Sequence, residues 1–193
     1  MKKTVLLFGA FILLSSLVNA QDPATIKNEI KTINKQEAAL KKEKKEEKKA
    51  LRKLEGKEVS FTSKQHFATY FPDVTDAKWE RSDYFDEATF TKDGKAMVAF
   101  YDQKGILVGT TAKISFAELP EKGQKYIKEK YKDYGIGTVI FFDDNQFNET
   151  DMLLYGSQFA DEDNYFVELS KNNTKTIVRV VPNGQVFYFT EIK

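Results

Sequence analysis

"DEATFTKDGKAMVAFYDQKG", residues 86–105, holds two alternating runs around Asp93-Gly94 and a second turn closing at Gly105. Asp-Gly between two such runs is a strong signal for a two-residue type I′ hairpin, because both central residues must take positive φ. "ILVGTTAKI", residues 106–114, continues as a further strand, and "AKWERSD", residues 77–83, alternates like a strand before the hairpin. Upstream, "SKQHFATYFPD" puts Phe67, Tyr70 and Phe71 at i, i+3 and i+4, one face of a helix. Pro72 forces Phe71 out of the α region and stops that helix. The unit is a helix followed by an antiparallel meander of four strands.

The same order recurs downstream. "LPEKGQKYIKEKYKDY" predicts a helix with Pro120 near its start and Ile127 and Tyr131 on one face. "GTVIFFDD" predicts a strand, and "NYFVELSKNNTKTIVRVVPNGQVFYFTEI" gives strand, turn, strand, turn, strand. Setting Gly105 against Gly184 aligns "AMVAFYDQKG" with "TIVRVVPNG", with one residue deleted in the turn. The helix-to-strand register differs between the halves, because residues 141–164 carry extra length. The expected fold is α+β: a tandem repeat of helix plus antiparallel meander, with helices on one sheet face and the other face open.

Ahead of the repeat lie two other segments. Lys2 and Lys3, the apolar run "VLLFGAFILLSSLV" and Val18-Asn19-Ala20 form an export signal with cleavage after Ala20. The product is expected to be periplasmic or secreted. No cysteine stands near that site, which excludes a lipoprotein anchor, and none stands anywhere else. Thiol catalysis, disulfides and cysteine-ligated metals are therefore excluded. Residues 21–56 hold 11 Lys/Arg against 7 Asp/Glu, and residues 57–193 hold 17 against 22. A basic arm precedes a mildly acidic domain, which is not the balance of a nucleic-acid binder. The arm reads as one helix from Asp22 and Pro23 to Gly56. Positions 26, 30, 33, 37, 40, 44, 47, 51 and 54 keep a 4-3 spacing, apolar at both ends but not in the middle. Two readings stay open: a solvated helix, or a weak coiled coil or basic stalk giving residues 23–55 peripheral contact with a membrane surface. The domains expected are 1–20 signal, 21–56 charged helix and 57–193 repeat, with halves about 57–115 and 116–193.

Phe71-Pro72, Trp79, the strand Tyr84 to Phe90, Gly94, Tyr101-Asp102, Gly105, Leu119-Pro120 and Tyr131 occur in an order that resembles the β-lactamase-inhibitor-like, PepSY-like family of exported bacterial proteins. The resemblance covers about residues 65–140 well and the C-terminal half loosely. It implies a tandem helix-plus-sheet fold like that of the β-lactamase inhibitory protein. It implies no activity. The long basic helix in front departs from the pattern, as does the lack of disulfides and of a counterpart to the inhibitory loop.

Catalytic chemistry finds little support. The one histidine, His66, has no cysteine partner and no Gly-x-Ser-x-Gly serine. The acidic clusters Asp143-Asp144, Glu149-Asp151 and Asp161-Glu162-Asp163 miss the EF-hand pattern, since Phe147 takes a ligand place and the glycine is absent. No enzyme, metal or cofactor is expected. Aromatics are 13% of the chain, with 16 Phe and 9 Tyr. In "AMVAFYD", Ala96, Val98 and Phe100 share one face and Met97, Ala99 and Tyr101 the other. If the helices cover the phenylalanine-rich set, Tyr101, Tyr188 and Tyr84 lie on an open face as interface anchors. Trp79, the only tryptophan, opens the first strand as either a core anchor or a ligand contact. The expected function is a non-catalytic, exported binding module of the cell envelope that engages a protein or peptide through the open face. The alternative is a structural or surface-associated envelope protein acting through its basic helix. The oligomeric state is left open.

Overall fold

Tight turns set the sheet. In the computed structural model, which describes residues 23–192, Asp93 and Gly94 take φ of +50° and +73° and close a hairpin between β2 (Asp86–Lys92) and β3 (Lys95–Tyr101). That is the type I′ geometry the Asp-Gly pair favours. The first strand, β1 (Lys78–Arg81), pairs with β2, and β4 (Leu107–Ile114) pairs with β3. The second half adds β5 (Gly135–Asp144), β8 (Asn164–Lys171), β9 (Thr174–Val180) and β10 (Val186–Ile192). All pair antiparallel in the order β1-β2-β3-β4-β5-β8-β9-β10, and β5 joins the halves beside β4. A separate hairpin of β6 (Met152–Leu154) and β7 (Ser157–Phe159) lies between β5 and β8. The fold is α+β, as expected.

Each half carries one short helix, α2 (Phe61–Tyr70) or α3 (Glu121–Lys130). Ser60 caps α2 by accepting from the Ser63 backbone N–H at 3.0 Å. Pro72 follows directly, so α2 ends at Phe71 with φ −130°. Phe67 and Phe71 are buried against the sheet, whereas Tyr70 points to solvent. The aromatic face of α2 is thus narrower than the sequence pattern suggests.

The two halves correspond in register by residue number. Phe67, Phe71 and Trp79 correspond to Ile127, Tyr131 and Val139, each 60 positions on. Ala88, Ala99 and Gly105 correspond to Val167, Val178 and Gly184, each 79 positions on. The helix-to-first-strand spacing is therefore common to both halves, and the extra length lies between β5 and β8, where the β6–β7 hairpin stands. The turns closing on the two glycines have equal length, which corrects the one-residue deletion read from sequence. Gly105 N–H donates to Asp102 O at 3.0 Å and Gly184 N–H to Val181 O at 2.8 Å. Both glycines have φ near +80°, and both press on the first turn of their helix. A Cβ on Gly105 would lie 2.8 Å from Ser63 N, and one on Gly184 2.8 Å from Lys122 Cβ.

The distribution of aromatics reverses the sequence expectation. The helix side takes Ala99, Tyr101 and Leu107 under Phe67 and Phe71, and Val167, Leu169, Val178 and Val180 under Ile127. The phenylalanine-rich set, Phe85, Phe100, Phe142 and Phe166, forms a buried cluster with Met152 and Phe159 of the β6–β7 hairpin. Alternation along each strand partitions the residues correctly. It does not say which set the helices cover, because both sets are apolar. The face away from the helices is therefore not open over its middle: the hairpin covers it there.

The long helix α1 (Pro23–Glu55) begins at Pro23, at the first helical position. The export signal and the Asp22 cap lie outside the described residues. The chain falls into two compact units, one ending at Glu46 and one running from Glu47 onward. In the first, Ile26, Ile30, Ile33 and Leu40 are all exposed, so the apolar seam faces solvent. Among the described residues, no helix is long and apolar enough to cross a membrane.

Candidate functional site

The last turns of α1 carry an arginine into the domain. Arg52 is 3% exposed and Asp86 1%, and Arg52 Nη2 donates to Asp86 Oδ1 at 2.5 Å. Asp86 Oδ2 accepts from Ser60 N–H at 3.0 Å and from the Ser63 hydroxyl at 2.8 Å. Arg52 Nε donates to Ser82 O at 3.1 Å. Arg81 Nε lies 3.5 Å from the same carboxylate, and Arg81 Nη1 donates to Glu58 O at 2.6 Å. One buried carboxylate thus fixes the end of α1, the 56–60 connection, the start of α2 and the edge strand β1. Two guanidinium forks suit that geometry, whereas a lysine supplies one compact charge and no fork.

Sequence reasoning missed this network. The chain has only three arginines, Arg52, Arg81 and Arg179, among its 30 basic residues. A single arginine in the lysine run "KKEKKEEKKALRK" is a signal for a planar, partnered role rather than solvation.

A groove of about 960 Å³ opens between this network and β1, lined by Trp79, Arg81, Arg52, Lys57, Lys64 and Glu58 among others. Lys57 and Lys64 are exposed. Asp83 and Glu80 stand on the rim of the same groove. Asp83 pairs with Lys49 at 2.6 Å, which holds its carboxyl below the usual carboxylate range.

Trp79 serves as both core and wall. Its ring meets Phe67 edge-on at 5.3 Å and lies 5.8 Å from Tyr101, while it stays half-buried and lines the groove. Tyr101 sits beneath it, fully buried, which corrects its expected place on an open face: β3 turns it under α2. Its hydroxyl has no hydrogen-bond partner, and burial pushes its pKa up. Tyr84 packs half-buried against the phenylalanine cluster, with Lys49 Nζ 5.8 Å over its ring. Tyr188 is 64% exposed, but it stands on β10, opposite Val178 on the helix side. Tyr101 and Tyr188 are five strand spacings apart, about 24 Å. The structure therefore gathers Trp79 with Tyr101, places Tyr84 a few residues beyond β1, and leaves Tyr188 at the opposite edge.

The remaining candidates have local partners. His66 Nδ1 lies 2.6 Å from Gly105 O, so Nδ1–H donates and ties α2 to the repeat turn. Among the described residues, no group of three or more His, Cys, Asp or Glu is placed to hold a metal ion.

No family model matches the chain, and no curated protein does. Solved structures do. A BLIP-like protein from Bacteroides fragilis is 15% identical, with a TM-score of 0.55 over 70% of this chain and 87% of that one. A candidate periplasmic protein from Bacteroides eggerthii is 12% identical, with a TM-score of 0.58 over 70% and 90%. A DUF2874 family protein from Bacteroides uniformis is 13% identical, with a TM-score of 0.58 over 69% and 90%. At such identities the likeness establishes the fold: this chain is built on the BLIP-like tandem helix-and-sheet plan, with a long basic helix in front.

Proposed function

We propose that the protein is an exported, non-catalytic module of the cell envelope that binds a protein or peptide. The observation that carries this reading is the groove beside β1, where Trp79 is held by Phe67 and Tyr101 and flanked by Arg81, Lys57 and Lys64. An aromatic anchor with exposed lysines nearby, beside an edge strand, suits an extended segment, because that strand's outer backbone groups have no ladder partner. The groove replaces the open sheet face as the contact surface, since the hairpin fills the middle of that face. The fold shared with a candidate periplasmic protein supports an envelope location, and the export signal read in residues 1–20, with cleavage after Ala20, is part of the same proposal. We retain 1–20, 21–56 and 57–193 as the working domain plan, with Arg52 tying the second to the third.

The test is chemical crosslinking in intact cells followed by purification. A specific adduct is expected with the wild-type chain and is lost in the double variant Lys57→Glu, Lys64→Glu, whose circular dichroism stays native. An adduct equally abundant in that variant contradicts the groove as the contact surface.

A second reading rests on the exposed Ile26, Ile30, Ile33 and Leu40 among the lysines of residues 23–46: a surface-associated protein acting through this arm. Deleting 23–46 while keeping Arg52 then releases the protein from the membrane fraction. Unchanged fractionation contradicts it.

A further inference from the structure

The groove beside β1 is a positive patch on a negative domain. Residues 57–193 hold 17 Lys/Arg against 22 Asp/Glu. Of the twelve described residues that line the groove, five are Lys or Arg and three are Asp or Glu. Two of those three anions have their charge directed elsewhere. Asp83 pairs with Lys49 at 2.6 Å. Glu80 alternates with Trp79 along β1, so its side chain stands on the other sheet face, opposite Glu87. That leaves Glu58 against three exposed lysines, Lys53, Lys57 and Lys64. The network around Asp86 fixes where the last two stand. Arg81 Nη1 donates to Glu58 O at 2.6 Å and Ser60 N–H to Asp86 Oδ2 at 3.0 Å, so the connection that carries Lys57 runs beside β1. Lys64 lies in the first turn of α2, next to Ser63, whose hydroxyl donates to the same carboxylate at 2.8 Å.

The strand edge supplies a second element of recognition. Ser82 N–H donates to Phe85 O at 2.9 Å, so positions 82 and 85 face each other as a hydrogen-bonding pair. Through the register of β1 and β2, Glu80 and Glu87 are the next pair of that kind, and Trp79 opposite Ala88 is of the other kind. The hairpin at Asp93-Gly94 gives the same parity from the other side. Lys92 and Lys95 flank its two-residue turn as a bonding pair, and so, four positions back, do Ala88 and Ala99, which turns the Ala88 groups toward β3. The Trp79 N–H and C=O therefore point away from β2, across the outer edge of the sheet.

We propose that the groove takes an extended segment bearing acidic side chains, added to the sheet as a further strand beside β1. This rests on the reading of the groove as the contact surface and names the chemistry that the groove selects. Backbone bonds at Trp79 offer an anchor that any extended sequence can meet, and the lysines choose among sequences by charge. Carboxylates at alternate positions of the segment fall on the lysine side together. The attraction acts between exposed charges, so selection weakens as salt rises.

Trp79 is the only tryptophan, so its emission reports this site alone. The exported protein is titrated with end-blocked six-residue peptides of alternating Glu-Val, Gln-Val or Lys-Val. The Glu-Val peptide should saturate the emission change at a concentration about tenfold lower than the Gln-Val peptide, from two or three exposed ion pairs. The Lys-Val peptide should bind more weakly than either. At about 1 M salt, where the Debye length is about 3 Å, the Glu-Val and Gln-Val curves should coincide. The double variant Lys57→Glu, Lys64→Glu should reverse the order of the Glu-Val and Lys-Val peptides, and N-methylation of the Glu-Val backbone should abolish its binding. The proposal is overturned by a Gln-Val or Lys-Val peptide that binds as tightly as Glu-Val, or by binding that survives N-methylation. It is overturned equally by an emission change driven by protein concentration alone, as a second copy in the groove would give, or by a protein that responds to none of the peptides. The crosslinking adduct separates the two levels. If it persists, the groove remains the contact surface with a different preference; if it is lost as well, both readings fall.

Discussion

Asp86 is the residue whose loss should cost most. It sits 1% exposed between Arg52 and Arg81 and accepts from Ser60 and Ser63 as well. Asp86→Ala removes the buried carboxylate that both guanidinium groups face, and removing one partner of a buried pair costs about 3–5 kcal/mol. Urea unfolding should show this loss, and Arg52→Ala should show a loss of similar size. The double variant should lose less than the sum, because both truncations remove the same interaction. Tyr101→Phe should act in the opposite direction. The Tyr101 hydroxyl is buried without a partner, so deleting it should raise stability by about 1 kcal/mol. A lowered midpoint instead would show that the hydroxyl is satisfied. Neither residue betrays its role in sequence. Asp86 reads as the polar start of a strand, and its partner Arg52 lies 34 positions away inside a lysine-rich run. Tyr101 lies on a strand apolar on both faces, so alternation pairs it with Ala99 and Met97 without saying that α2 covers them.

Among the elements, those defined by local stereochemistry were legible in the sequence. Asp93-Gly94 fixes a hairpin because two positive φ values are needed there. Pro72 stops α2 because Phe71 cannot stay helical before it. Gly105 and Gly184 mark the repeat because each has positive φ and each leaves no room for a Cβ against its helix. Gly105→Ala should therefore destabilise by about 1–3 kcal/mol in thermal or urea unfolding, from backbone strain plus the clash at Ser63. Gly184→Ala should do the same through Lys122. A neutral effect at both would contradict the equivalence of the two turns. The β6–β7 hairpin was not legible. Its strands are only three residues each, set in a polar stretch, and their burial depends on Phe142 and Phe166 across the sheet. The division within α1 was also hidden, since the 4-3 spacing continues across its polar middle to Leu54 while the chain divides at Glu47. A chain starting at Glu47 should unfold with the full-length midpoint, and one starting at Lys57, which lacks Arg52, should unfold markedly earlier. Equal midpoints would show that Arg52 contributes nothing.

At the scale of the molecule, duplication yields one sheet with two unlike edges. The β1 edge has a groove with Trp79 and an arginine network beside it, whereas the β10 edge presents the exposed Tyr188. The corresponding first strand of the second half, β5, is interior to the sheet, so only the first copy has its first strand at an edge. Duplication thus leaves the first strand of one copy at an edge and that of the other inside the sheet, and the insertion between β5 and β8 seals part of the opposite face. This asymmetry, rather than any reactive side chain, is the basis for reading the protein as a binding module. Photocrosslinking compares the two edges directly, with a photoreactive residue placed at position 80 in one chain and at position 188 in another, in growing cells. A discrete adduct from position 80 that Lys57→Glu, Lys64→Glu abolishes, with none from position 188, is the predicted result. Adducts from position 188 alone, or none from position 80, would contradict the groove as the binding surface.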